Sequence, residues 1–281
     1  MKHKIRVSAI QRLCLQDGPG VRTTVFLKGC YLACPWCCNP ETIYYNDSLL
    51  FCKNSTLCGN SSLCKSCEVF HGNRKRADCP LGAYSKTFKD YEVQELYTLL
   101  LRDKSLYEQG GGITFSGGEP LMQAEQLLPL LSLLHAAGIH IAVESSLYAP
   151  RLNFEKITPL IDYWLVDVKF QFGFISYLEK NKYLCDFVEN LSEIQHYTSA
   201  QYVIRMVISQ QAILQKEAIL ERLLKYGIKE IELLPCHQLA ENKYKQLGYN
   251  PPVYCAPKRK DLDAFIILLE SNGLNVNVLK L

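Results

Sequence analysis

Four cysteines fall within nine positions of the stretch GCYLACPWCCNPET, residues 29–42. Cys30, Cys34 and Cys37 stand at C-x3-C-x2-C, and Cys38 follows at once. A cubane iron–sulfur cluster has four irons, each of which takes a thiolate. Three cysteines on one loop fill three of those positions and leave one iron open to a small molecule. On spacing alone, a zinc knuckle short of one ligand or a set of buried free thiols stays open as well.

A second stretch, GGGITFSGGEP (110–120), ends a strand-like run in Gly117-Gly118-Glu119-Pro120. Paired glycines let the backbone approach a ligand closely, and Glu119 adds an acceptor suited to an amino group. Alone this is a common kind of turn. Further polar groups sit at or near the ends of other apolar runs: Glu144-Ser145-Ser146, Asp167 with Lys169, Arg205 within VIRMVI, and His237 after ELLPC. Asp167 and Lys169 are two apart and so project from one face of a strand. An unpaired Arg205 among apolar neighbours would be costly. Singly, each reads equally as a structural ion pair or a satisfied buried group.

Their joint position is what carries weight. Strand candidates lie at 23–29, 112–117, 139–145, 163–170, 201–209 and 229–235, with helical patterns such as 93–109, 123–138 and 216–227 between them. Six repeats of strand then helix predict a parallel sheet closed into a barrel or part of one. In such barrels the C-terminal strand ends carry the active site, and all six strands deliver chemistry there. One segment breaks the rhythm. Residues 50–86 are rich in Cys, Ser, Asn and Gly and poor in core-forming runs, which predicts a small insert held by metal. The expected division is a barrel over 1–49 and 87–281, with the cysteine-rich insert at 50–86.

Composition narrows the class. The 281 residues include 31 basic and 28 acidic side chains, a net charge of +3, so no global field points to nucleic acid. The basic runs NRKR (73–76) and PKRK (257–260) are short and read as solvated loops. MKHKIRVSAI lacks the apolar core of a signal peptide, and the longest apolar stretch, 127–143, is broken by Pro129, Ser132, His135, Gly138 and His140. The expectation is a cytoplasmic protein with no membrane association. In that reducing compartment the 13 cysteines are not a disulfide framework. Eight of them fall between residues 30 and 67, the clustering expected of metal ligands.

Residues 17–42, GGITFSGGEPLMQ (111–123), LVDVKF (165–170) and ELLPCHQLAENKYKQLG (232–248) together resemble the glycyl-radical-enzyme activating enzymes. These are radical S-adenosylmethionine proteins similar to pyruvate formate-lyase activating enzyme, and the resemblance runs from about Gln11 to Gly248. It implies a partial (β/α)6 barrel of TIM type with a ferredoxin-like insert. It assigns Cys30, Cys34 and Cys37 to a 4Fe-4S cluster whose open iron chelates an exchangeable S-adenosylmethionine, and it leaves Cys38 as the odd one out. The family usually has His at that position.

The resemblance also implies that Ser116, Gly117, Gly118 and Glu119 contact the methionyl amine, that Trp36 and His237 lie by the cofactor, and that Arg205 faces its carboxylate. Glu144 and Asp167 match the acidic ligands of a monovalent cation, although ESSL replaces the usual Asp-Thr-Asn-Gly, and Lys169 completes the Asp-x-Lys element. In the insert, five thiols suffice for one auxiliary 4Fe-4S cluster, with Cys58, Cys64, Cys67 and Cys79 as ligands and Cys52 as the alternative to Cys58; structural zinc in the same cage is the other reading. The implied activity is reductive cleavage of S-adenosylmethionine to a 5′-deoxyadenosyl radical that generates a glycyl radical on a partner enzyme. A flavodoxin- or ferredoxin-type protein would supply the electron. The nearest rival modifies a peptide or small molecule directly. A carrier or zinc module without catalysis would need neither Gly117-Gly118-Glu119 nor a three-cysteine loop.

Overall fold

The structure is a computed structural model that describes residues 4–46, 50–52, 79, 83–171, 184–196, 198–251 and 253–279. Strands β1 (Ile5–Cys14) and β2 (Arg22–Leu27) open the chain, followed by β3 (Leu50–Cys52), β4 (Tyr84–Lys86) and β5 (Lys89–Tyr91). Then strands and helices alternate: α1 (Val93–Leu101), β6 (Gly112–Gly117), α2 (Ala124–Ala136), β7 (Ile141–Ser145), α3 (Arg151–Ile157), β8 (Tyr163–Asp167), α4 (Leu184–His196) and β9 (Gln201–Ile208). The chain closes with α5 (Gln210–Ile213), α6 (Lys216–Lys225), β10 (Glu230–Pro235), α7 (Glu241–Leu247), α8 (Arg259–Ser271) and β11 (Asn275–Val278).

The six expected strands, β2 and β6 to β10, lie side by side in chain order and run parallel. This is the partial (β/α)6 barrel. Three additions extend it. Strand β11 adds a further parallel strand beyond β10, while β1 pairs antiparallel with β2 and β5 with β1. The nine-stranded order runs β11-β10-β9-β8-β7-β6-β2-β1-β5 and leaves β11 and β5 as edges. Strand β11 is only NVNV, and β1 is half exposed with a broken register, so neither has a clear apolar run to betray it. The helical pattern at 93–109 divides into α1 and a separate 3-10 turn at Lys104–Tyr107.

Side chains on a strand alternate between two faces. One face, with Val25, Ile113, Phe115, Ile141, Val143, Trp164, Val166, Ile204, Met206, Ile231 and Leu233, is fully or nearly fully buried. It packs against the helices, where Tyr148 stacks on Phe187 at 4.3 Å and Phe154 tilts against Trp164 at 5.3 Å. Each large apolar side chain buried there contributes roughly 1.5–3 kcal/mol. The other face lines the barrel interior and carries Arg22, Thr24, Thr114, Ser116, Glu144, Asp167, Arg205 and Glu232. Register places Asp167 opposite Arg205 and Arg205 opposite Glu232. A polar interior under an apolar outer layer is a site-building arrangement. Among the described residues, no helix is long and apolar enough to cross a membrane.

Candidate functional site

The cysteine loop leaves the C-terminal end of β2. Lys28, fully buried, donates to the carbonyl of Glu41 and to Thr87 Oγ1 at 3.1 Å. Gly29, at φ +99°, donates its N–H to Thr42 O at 2.6 Å, and Cys30 donates to Ile43 O at 2.9 Å. These bonds close the neck of the loop that carries the three thiols. The Cys30 sulfur accepts the N–H of Leu32, and that of Cys37 accepts the N–H of Asn39, both at 3.4 Å.

Burial pushes the Cys34 thiol up to about 11, Cys37 up to about 12 and Cys30 well above its ordinary range, where Glu119 adds to the effect. Thiols so reluctant to ionise alone become thiolates when cations share the site. Among the described residues, no three His, Cys, Asp or Glu side chains draw together as ligands of a single metal ion. Three thiols with amide N–H groups on two of the sulfurs suit an iron–sulfur cluster, whose properties such hydrogen bonds tune.

The double glycine is fused to that loop. Gly117 sits at φ +101°, and a Cβ there would stand 2.5 Å from the Leu27 nitrogen; one on Gly118 would stand 2.1 Å from the Gly29 carbonyl oxygen. Gly118 donates to Leu27 O at 2.9 Å and Glu119 to Gly29 O at 2.7 Å. Only residues without side chains allow the turn to lie on the base of the cysteine loop.

Glu119 itself is fully engaged. Oε1 accepts from Leu121 N–H at 3.2 Å and Ser145 Oγ at 2.7 Å; Oε2 accepts from Ser146 N–H at 3.0 Å and Ser146 Oγ at 2.8 Å. Burial raises its pKa, and these four donors oppose the rise. The carboxylate expected to meet an amino group thus also ties the end of β7 to the glycine turn.

On the interior face, Ser116 donates to Glu144, whose pKa is raised by burial and by Asp17. Lys169 donates to Asp167 Oδ2, while Asp167 Oδ1 is buried without a hydrogen-bond partner among the described residues. For Lys169, burial works to lower the pKa, but Asp167 and Cys34 outweigh it and raise it, so the ammonium is held charged beside the thiols. Arg205, 7% exposed, directs Nε to Glu232 Oε2 at 2.8 Å. It does not line the cavity below, and the buried charge finds its partner on β10. Glu232 was legible: alternation along KEIELLP puts it on the interior face.

The segment after β10 crosses over the cysteine loop. Tyr244 donates to the Cys37 carbonyl at 2.9 Å, and Lys243 reaches Asn39 Oδ1 at 2.8 Å and Glu41 Oε1 at 2.7 Å. Trp36 meets Tyr254 edge-on at 5.8 Å, and Cys38 Sγ lies 3.6 Å from His237 Nε2. These contacts join β2 to β10 across the mouth, though the two strands are five places apart in the sheet. Lys243 and Tyr244 carried no role from sequence, because a clamp across a barrel mouth has no local pattern.

All the expected site residues of the loop, the glycine turn and the strand ends, Arg205 excepted, open on one cavity of about 210 Å³. A neighbouring space of about 290 Å³ shares Trp36, Cys37, Cys236 and His237 with it. A larger hollow, about 970 Å³, lies at the start of β9 and β10 and holds none of the expected site residues. Size is the weaker guide here, and the chemistry marks the smaller cavity. Of the insert ligands, Cys58, Cys64 and Cys67 lie outside the described residues, and Cys79 is half-buried. Cys52 belongs to β3.

Residues 16–182 match the family model described as a 4Fe-4S single cluster domain. The 4-hydroxyphenylacetate decarboxylase activating enzyme of Clostridioides difficile (strain CD196) is 34% identical over 268 residues, covering 85% of this chain and 84% of that protein. Pyruvate formate-lyase 2-activating enzyme of Escherichia coli (strain K12) is 31% identical over 279 residues, covering 97% and 92%. Choline trimethylamine-lyase activating enzyme of Oleidesulfovibrio alaskensis is 31% identical over 294 residues, covering 94% and 93%.

Proposed function

The chain belongs to the glycyl-radical-enzyme activating enzymes, a radical S-adenosylmethionine family, and from that premise we propose how its own residues carry out the activation of a partner enzyme. One observation carries the reading: the three-cysteine loop, the Gly117-Gly118 turn and the polar ends of β7 and β8 all open on a single cavity. Cys30, Cys34 and Cys37 would hold a 4Fe-4S cluster. When bound, that cluster would supply one electron to the sulfonium of S-adenosylmethionine, so that its C5′–S bond breaks to methionine and a 5′-deoxyadenosyl radical able to take a hydrogen atom from a glycine of the partner.

The protein's part is to bind, orient and exclude water. Ser116, Gly117 and Gly118 present backbone and hydroxyl to the methionyl amine, with Glu119 fixing the turn and contributing its negative charge. Lys169, which lines the cavity, offers an ammonium there and attracts the ligand's carboxylate. Trp36 and His237 form the wall shared with the adjoining cavity and face the adenosine side. Arg205 acts at one remove, through its pair with Glu232. Asp167 Oδ1, which has no partner among the described residues, supports, with Glu144, a monovalent cation beside the ligand.

Three further readings belong to the same proposal. The 50–86 insert carries one auxiliary 4Fe-4S cluster on Cys58, Cys64, Cys67 and Cys79. A flavodoxin- or ferredoxin-type protein donates the electron. The protein works in the cytoplasm. Anaerobic reconstitution should give roughly eight irons per chain; about four irons with stoichiometric zinc would remove the auxiliary cluster.

The decisive experiment mixes the reduced protein, S-adenosylmethionine and a candidate partner without oxygen. A glycine that loses one Cα hydrogen keeps the other, so electron paramagnetic resonance should show a doublet on the partner. Deuterating that glycine at Cα should collapse the doublet and place deuterium in 5′-deoxyadenosine. Cofactor cleavage with no partner radical, while a peptide or small molecule is altered, would hand the function to direct modification.

A further inference from the structure

Cys38 stands directly after the third thiol of the loop, and its hydrogen-bond contacts are to Trp36 and His237. His237 Nδ1 accepts the backbone N–H of Leu239 at 3.3 Å. A neutral imidazole whose Nδ1 accepts carries its proton on Nε2. That Nε2 lies 3.6 Å from Cys38 Sγ, within hydrogen-bond range for sulfur. The Cys38 thiol in turn donates to the Trp36 carbonyl at 3.9 Å. Every donor in this chain of contacts has one acceptor, and the direction is the same throughout: Leu239 N–H to His237, His237 to Cys38, Cys38 to Trp36.

The chain of contacts also has a place. His237 forms part of the wall between the cavity of about 210 Å³ and the neighbouring one of about 290 Å³. It follows β10 while Cys38 follows β2, so their contact spans the mouth of the barrel. We propose that Cys38 is a positioning residue for His237: its sulfur, accepting from Nε2–H of the tautomer that the Leu239 N–H selects, fixes the plane of the imidazole within the shared wall. Affinity for the adenosyl ligand then depends on Cys38, whereas assembly of the cluster does not. This inference rests on the cofactor site proposed above.

The test uses the reconstituted protein, iron analysis and equilibrium dialysis of S-adenosylmethionine under anaerobic conditions. Cys38→Ala should keep the wild-type iron content and bind the ligand about five-fold more weakly, the scale of one net hydrogen bond. Cys38→Ser, which can still accept from Nε2–H and donate to Trp36 O, should recover most of that loss. In a His237→Ala background, adding Cys38→Ala should change affinity by less than about two-fold, because the two residues act as one unit. A merely structural cysteine would give neither the rescue by Ser nor the non-additivity. Unchanged binding in Cys38→Ala, or additive losses, overturns the proposal, and so does iron lost with Cys38. Absence of binding in the wild type would instead overturn the cofactor site on which both stand.

Discussion

Two cations, Arg22, fully buried, and Lys169, partly buried, occupy opposite ends of the barrel interior, and their surroundings differ in kind. Arg22 enters at the N-terminal end of β2 and is fully buried. Its guanidinium donates to Thr114 Oγ1 at 2.6 Å, Ile113 O at 2.7 Å, Pro19 O at 2.9 Å and His140 O at 3.3 Å. Burial lowers its pKa to about 10, with Asp17 pulling the other way. Lys169, beyond the end of β8, meets one oxygen of Asp167, while the other oxygen is buried without a partner among the described residues and thiols lie close by. A buried charge saturated by backbone is a structural element. One whose partner is left half-satisfied at a cavity is poised for something the chain does not itself contain.

That difference sets the largest expected effects, and they should cross. Arg22→Met strands several carbonyls and a hydroxyl at the closed end and should cost about 3 kcal/mol of stability. The folded fraction should still bind S-adenosylmethionine within about two-fold of the wild type. Lys169→Met should change stability by no more than about 1 kcal/mol, since Asp167 keeps access to the cavity. Its ligand affinity should fall about ten-fold or more, as befits loss of a charged hydrogen bond. Denaturant midpoints and dialysis on both variants check this. Loss of affinity without loss of stability in Arg22→Met would break the comparison outright.

The frame of this contrast was legible in the sequence, and parts of its detail were not. Short apolar runs between helical patterns gave the strands of the barrel, because a strand covered by helices in a parallel sheet needs a run of apolar residues. They could not give β11, four residues long, or β1, which is half exposed. Cysteine spacing and the Gly117-Gly118 pair marked the site because each needs a particular residue type. Pairings between distant segments leave no such trace: Arg205 with Glu232, Tyr244 on the Cys37 carbonyl, Lys243 on Glu41. Glu119 shows the same limit, since nothing in GGEP says that Ser145 and Ser146 will fill its lone pairs.

Glu119 sharpens the comparison from inside the site, because it is saturated in the manner of Arg22 yet lines the cavity of Lys169. Glu119→Gln turns one accepting oxygen into a donor facing Ser146, and should cost about 2 kcal/mol. Ser145→Ala and Ser146→Ala should each cost about 1 kcal/mol, with iron content unchanged. Thermal or denaturant unfolding of the three variants decides it. A Glu119→Gln protein as stable as the wild type, with weakened ligand binding alone, would make the carboxylate a ligand contact first and a strut second.

The smallest effect concerns Glu144, which lies between the two cations on the interior face. Burial, then the neighbouring charge of Asp17, raises its pKa above the ordinary 4.5, with the Ser116 hydroxyl pulling it down. The sign follows from linkage: the folded state holds this proton more tightly than the unfolded chain does. Its contribution is therefore complete below 4.5 and is lost as pH rises through the folded value, because the unfolded chain releases its proton first. Glu144→Gln keeps a neutral acceptor for Ser116 and has no proton to lose. Unfolding midpoints followed upward from pH 4.5 should show the wild type losing stability relative to the variant. Glu119, raised in the same direction, is common to both proteins and drops out of the difference. The opposite slope, with the wild type gaining on Glu144→Gln as pH rises, would mean that the ionised carboxylate finds a cation in the folded protein. Repeating the series in sodium, potassium and a bulky quaternary ammonium salt would then separate a bound ion from Arg205: dependence on the salt favours the ion held with Asp167, and indifference to it favours the arginine.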